Sequence, residues 1–306
     1  MTVESAERSV RHSVAAGCWV LAAALAFSLM NALAKQVAVT EGAVVPAMQI
    51  TFARYAVAAL ILAPFILCRP AQLRVEAPAS YLWRTIAGLG GIVLMFEAVR
   101  SIPLASATAI GFTSPIFAMI LATAALGEPI VKRRWTAALI GLCGALVIAT
   151  PDFSMISLGA VLALVAAAFM GAEIVAIRWL SQTRDTKTAI LFYSNLVGAV
   201  MAGLLSASAM VWPSAEAAWL LVAVGAVAVT GQFCVVQAAR QAEASYLAPF
   251  FYVSLIYAAV IGYIFFGEVP SIQATVGYII ILISAALMMT WRPPEKKTTP
   301  AQNAPS

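Results

Sequence analysis

Charge is what this sequence has least of: only 10% of its 306 residues are Asp, Glu, Lys or Arg. A soluble domain carries about a quarter charged residues and covers its surface with them. This chain cannot do so in water, so lipid must surround most of its perimeter. Histidine is nearly missing. The single His12 lies in the polar N-terminal segment, which excludes a histidine-built metal centre. Cysteine is present but unpatterned. Cys18, Cys68, Cys143 and Cys234 sit in or beside apolar stretches, without the close spacing of a zinc site or a redox pair. They read as small hydrophobes in helix packing.

Other absences narrow the function. Intramembrane prenyltransferases, phosphatases and proteases need clustered Asp, His or Ser constellations, and none is found, so the chain reads as no enzyme and implies no cofactor. No connection is long enough for a soluble output module, as a sensory receptor would carry. A channel filter or charged ring is also missing, although a channel-like facilitator would share the hydropathy. The net charge of +5 is spread over short loops, which is no signal for nucleic acid.

What is abundant is apolar length. A helix crossing the hydrocarbon core needs about 20 mostly apolar residues, and ten segments qualify: Val14–Ala34, Pro46–Leu67, Trp83–Val99, Pro103–Leu126, Trp135–Thr150, Ser157–Leu180, Thr188–Ala209, Ala217–Ala239, Ala244–Phe266 and Ile272–Trp291. The first is too long for a signal peptide and reads as a retained helix. Turn and stop residues punctuate the connections, among them Pro70, Pro78, Pro129, Pro151, Asp152, Pro213 and Pro270. Basic residues collect in cytoplasmic loops. With the N-terminus inside, all of the 18 Lys and Arg except Lys35, Arg54 and Arg100 fall on that side. The count includes Arg69, Arg74 and Arg84 between the second and third spans.

The expected fold is therefore an all-α inner-membrane protein with ten transmembrane helices and both ends inside. Residues 1–13 form a cytoplasmic segment, 14–150 a first five-helix repeat and 157–291 a second. The Pro- and Lys-rich tail 292–306 reads as disordered.

The two halves repeat at an offset of about 140 residues. Gly127-Glu128 falls on Gly267-Glu268, Ser114 on Ser254, Gly91 on Gly231 and Arg100 on Arg240. An odd number of helices per unit makes the second copy enter the bilayer from the opposite side. Inverted repeats are a common plan of secondary transporters, which hold substrate between the halves near the midplane.

These residues resemble the drug/metabolite transporter superfamily in its ten-helix EamA-type branch. The likeness rests on Arg54-Tyr55 in TFARYAVAALIL, on Ile102-Pro103-Leu104-Ala105, on Pro115, on Gly127-Glu128-Pro129 and on Gly267-Glu268. The run Leu247-Ala248-Pro249-Phe250-Phe251-Tyr252 is similar to a subgroup with proposed carriers of S-adenosylmethionine and riboflavin. The resemblance covers all but the tails and implies a central cavity with alternating access, without fixing the substrate. One departure is Leu255 where the first repeat has Pro115, so the halves need not flex alike.

Ionisable groups inside a bilayer are costly and usually face the bundle interior, so they head the candidates for substrate contact. Arg54 and Glu97 lie at similar depths and read as a buried pair, either structural or tuning Glu97 for a cation or proton. Glu173 faces either the cavity or the inner interface. Asn31 and Lys35 border the outer vestibule, with Lys35 expected to snorkel. Gln232 and Gln237 need partners in a dry bundle, from substrate or from other helices, and Asn195, the approximate inverted mate of Arg54, argues for a structural role there.

Phe112, Ser114, Phe250 and Tyr252 lie in the motif-bearing stretches, where a broken helix would offer ring faces and backbone groups. Pro115, Gly127, Glu128, Pro249, Gly267 and Glu268 read as structural. A carboxylate at a helix C-terminus opposes the dipole, so Glu128 and Glu268 should find another partner, such as the N-terminus of the next helix. The partners expected are a small metabolite, a coupling proton or sodium ion and the lipid bilayer, with the protein as monomer or homodimer.

Overall fold

The computed structural model describes residues 3–41, 45–68, 75–102, 104–149 and 157–289, with side chains from residue 14 onward except those of 104 and 105. The described residues are mostly helical, with no strand among them. The helices are α1 (Val3–Thr40), α2 (Ala47–Leu67), α3 (Pro78–Ser101), α4 (Leu104–Gly111), α5 (Ser114–Leu126) and α6 (Lys132–Ala149). They continue as α7 (Leu158–Ser181), α8 (Lys187–Ser206), α9 (Ala215–Gln241), α10 (Ala244–Leu247), a 3-10 turn (Ala248–Val253), α11 (Ser254–Phe266) and α12 (Ile272–Met289). The tail 292–306, Arg69, Arg74, Pro103, Pro151, Asp152 and the side chain of His12 lie outside the described residues.

Local chemistry sets the ends. Ser157, Thr186 and Ser214 accept the backbone N–H of Ala160, Ala189 and Ala217, capping α7, α8 and α9. Pro78 starts α3 at the position where its missing N–H costs nothing. That start lies before Trp83 and draws Arg84 into the helix, where it is buried. Counting Arg84 among loop charges was therefore wrong.

Among the described residues nine helical stretches are long and apolar enough to cross a membrane, with α4–α5 spanned from Ser106 to Leu126 and α10–α11 from Ala244 to Phe266. The expected count was ten. The one left out is α6, whose 18 residues open on Lys132, Arg133 and Arg134.

The main packing partners are α1 with α9, α3 with α7, α2 with α8 and α6 with α12. Exchanging each helix for its counterpart in the other half (α1 for α7, α2 for α8, α3 for α9, α6 for α12) returns the same four pairs. The α6–α12 crossing is very close. A Cβ on Gly144 would lie 2.8 Å from the Gly277 carbonyl oxygen, and one on Gly277 would lie 2.7 Å from that of Gly144. Small residues permit such approach where lipid supplies no hydrophobic drive.

α5 and α11 end alike. Gly127 and Gly267 both take φ 65°, a left-handed conformation that costs glycine little. The N–H groups of Glu128 and Glu268 fold back to the carbonyls of Ala122 and Gly262, at 3.3 and 3.1 Å. The Gly-Glu motif is thus one helix stop used twice.

Candidate substrate cavity

A cavity of about 300 Å³ lies among α1, α2 and α3, with α7 and α9 each adding one residue to its wall. Asn31, Thr51 and Arg54 are its polar lining, and Met95, Phe96 and Met170 supply much of the apolar wall. The Arg54 guanidinium stacks over the Tyr55 ring, 4.4 Å from its centroid. Its Nε is buried without a hydrogen-bond partner. Thr51 donates its hydroxyl to the Ala47 carbonyl, 3.0 Å away. A second hollow of about 350 Å³, between α5 and α7, has only apolar lining beside the half-exposed Trp179. Its chemistry suits an acyl chain rather than a polar solute.

At one end of the bundle polar groups are tightly joined. The Glu128 carboxylate accepts the N–H of Ala244 at 2.8 Å and of Ser245 at 2.9 Å. Arg134 bonds Glu243 and the Ser245 hydroxyl. Arg178 donates to the Ala239 carbonyl, and Arg240 to that of Asp185. The Asp185 carboxylate accepts the Tyr81 hydroxyl at 2.6 Å and the Glu76 N–H at 2.9 Å. Glu76 accepts the N–H of Arg184. Arg134, Arg178, Arg184 and Arg240 thus gather at this basic end.

The opposite end is looser. Lys35 holds Glu268 and lies over the Phe266 ring, with both charged side chains about half exposed. Glu41 accepts the N–H of Ser214 at 2.9 Å, and these bonds hold the Glu41 carboxyl below its usual pKa. Where Asp185 and Tyr81 meet at the basic end, their counterparts 140 residues away, Val45 and Leu221, share an apolar cluster.

The same offset compares the two ends residue by residue. Ile50, Arg54, Ile92 and Phe96 line the open cavity. Their counterparts Ile190, Ser194, Gln232 and Val236 are all buried. Likewise Glu128 is 7% exposed, whereas the side chain of Glu268 is 58% exposed. One half-site is open and its mirror is shut.

Several expected contacts fall elsewhere. The Arg54–Glu97 pair is not formed: Glu97 bonds Arg100 at 3.2 Å on an exposed face, and Phe96 takes the cavity position. Similar depth places two residues at one level but not on facing sides of their helices. Glu173, expected at the cavity or the inner interface, lies 3.9 Å from the buried Arg84. Lys35 does not snorkel freely, since Glu268 holds it. Phe250 and Tyr252 are core residues. Phe250 packs on Tyr246, their ring centroids 5.5 Å apart, and the Tyr252 hydroxyl donates to the Phe112 carbonyl at 2.9 Å.

Among the remaining candidates, Gln232 accepts from Asn195 at 2.6 Å within the bundle. Gln237 is half-buried on α9. Ser114 and Pro115 open α5, and Pro249 opens the 3-10 turn, so both motif-bearing spans are broken near one register. Glu128 does cap a helix N-terminus, but that of α10 rather than of the following helix. Arg84, Asp185 and Phe96 were not anticipated. The signal for Arg84 was its place just after Trp83 in an apolar run.

A bundle of apolar helices around a cavity, with one end sealed by charge, defines a multi-pass inner-membrane protein. The EamA-like transporter family matches residues 15–150 and again 157–290, and the chain belongs to that family, within the drug/metabolite transporters. It is 33% identical to the pseudopaline exporter CntI of Pseudomonas aeruginosa, over 86% of this chain and 91% of that protein. It is 28% identical to a riboflavin transporter of Vibrio cholerae, over 92% and 96%. It is 25% identical to an S-adenosylmethionine uptake transporter of Rickettsia prowazekii, over 92% and 93%. A solved crystal structure shares the fold with a TM-score of 0.73 at 19% identity, covering 89% of this chain and 95% of that one.

Proposed function

We propose that this chain is a secondary carrier that moves a small organic metabolite across the inner membrane by alternating access between two inverted repeats. The observation that carries the reading is the contrast between repeat counterparts, with Arg54 and Phe96 open where Ser194 and Val236 are shut. Two copies of one element in opposite states give the pattern of a half-completed exchange. In this reading α6 is the tenth span, packed on α12 as its repeat mate, and both termini lie in the cytoplasm. The basic end then faces the cytoplasm, and the conformation is outward-open. Exchange of states frees Glu128 from α10, while Glu268 leaves Lys35 to cap the N–H groups of residues 104 and 105, the counterparts of 244 and 245.

The relatives' named solutes, riboflavin and S-adenosylmethionine, are reasonable first probes in proteoliposome counterflow, followed by amino acids and nucleosides. Leu126 and Ala244 pack against one apolar cluster at the sealed end. Joining Leu126→Cys to Ala244→Cys with a short reducible cross-linker, in a background lacking the four native cysteines, should stop counterflow, and reductant should restore it. Saturable exchange that continues through the cross-linked protein would sink the reading, as would flux that never saturates.

A further inference from the structure

We infer that the cavity selects an organic anion, holding a carboxylate or similar oxyanion on Arg54 against an apolar body. This rests on the carrier reading and adds its substrate class. Among the described residues, Arg54 is the only charged one in the lining. Among the described residues no carboxylate lies within ion-pair distance of it: Glu97 is taken by Arg100, Glu173 by Arg84 and Glu268 by Lys35. A guanidinium between apolar walls, with a buried Nε and only the Tyr55 ring for company, is a charge still short of its counter-ion. Low dielectric strengthens its pull on an anion and its rejection of a cation.

The fold itself does not require this charge. At the equivalent register of the second repeat stands Ser194, fully buried, and α8 packs there without a cation. The guanidinium fork matches a carboxylate with two parallel hydrogen bonds. Of the two neighbouring polar groups one can donate. Asn31 carries an amide that can donate, whereas the Thr51 hydroxyl has already given its proton to Ala47. Met95 and Met170 form an adaptable wall beside the Phe96 ring. The volume of about 300 Å³ is at the small end for metabolite pockets.

The test uses four probes on the full chain in nanodiscs: phenylacetate, phenylacetamide, phenethylamine and acetate, with saturable binding followed by ligand-observed NMR. The expected order is phenylacetate first, the amide and acetate weaker, and the amine weakest. Arg54→Gln should weaken phenylacetate about ten- to a hundredfold and bring it level with the amide. If that variant does not fold, Arg54→Lys, which keeps the charge but not the fork, should still prefer the acid to the amine while binding it less well. An amine that binds as well as the acid, no saturable binding of phenylacetate, or an Arg54→Gln protein with unchanged affinity would overturn the assignment. Failure here leaves the cross-linking result standing, so the two readings fail separately.

Discussion

Glu128 and Ser245 join distant parts of the chain, the end of α5 and the start of α10, through a buried carboxylate that accepts a backbone N–H at 2.9 Å. A helix N-terminus favours an anion, so ionised Glu128 answers two unsatisfied donors at once. Glu128→Gln keeps the shape but loses the charge and one acceptor oxygen. It should loosen the basic end, and a cysteine placed at the buried Leu247 should react with a maleimide several-fold faster than in the parent. An unchanged rate would show that the contact is not holding that end shut.

Glu268 carries the same motif but is bound to Lys35 at the open end. Glu268→Gln should leave binding to the open cavity within about twofold, because exposed pairs contribute little. Counterflow should fall much further, since the opposite end then lacks its cap when closed. Equal losses in binding and exchange would place Glu268 outside the cycle.

The α6–α12 crossing tolerates no side chain. Gly144→Leu pushes a bulky group into the Gly277 carbonyl and the Ile281 side chain, and overpacking of this kind costs about 1–3 kcal/mol or more. The purified variant should melt several degrees lower in detergent. Gly127→Ala, where space is open but φ is positive, should cost less, about 1 kcal/mol.

Glu41 offers a pH test. Its carboxyl titrates below the usual value of 4.5 because its ionised form accepts bonds from Ser214. A depressed carboxylate pKa means the contact is fully present above the unfolded value and is lost as pH falls through the lower one. Hydrogen exchange at the Ser214 amide should therefore accelerate, beyond the intrinsic pH trend, only below pH 4.5. In Glu41→Gln that extra step should vanish, and its persistence would assign the effect to another group.

Much of the architecture was legible in the sequence, for physical reasons that particular residues show. Gly127 and Gly267 announced equivalent helix ends, since only glycine takes φ 65° freely. Hydropathy marked ten segments, of which nine are long and apolar enough among the described residues; the remaining one, α6, opens on three cations. Side-chain direction was harder to read. Phe96 and Glu97 differ by one residue, yet about 100° of rotation puts one in the cavity and the other beside Arg100. The aromatic run near Pro249 looked suited to stacking a solute, but small neighbours such as Gly17 and Gly141 give Phe250 and Tyr252 a packed interior instead. Arg84 was misplaced because a boundary drawn at Trp83 made a buried charge look interfacial.

The two ends are built from different materials. Asp185 and Tyr81 meet through a buried hydrogen bond, while their counterparts Val45 and Leu221 meet as hydrocarbon. The first of these joints needs one particular donor facing one particular acceptor, whereas the second would accept other apolar pairs of similar size. Related halves need not share a common lock.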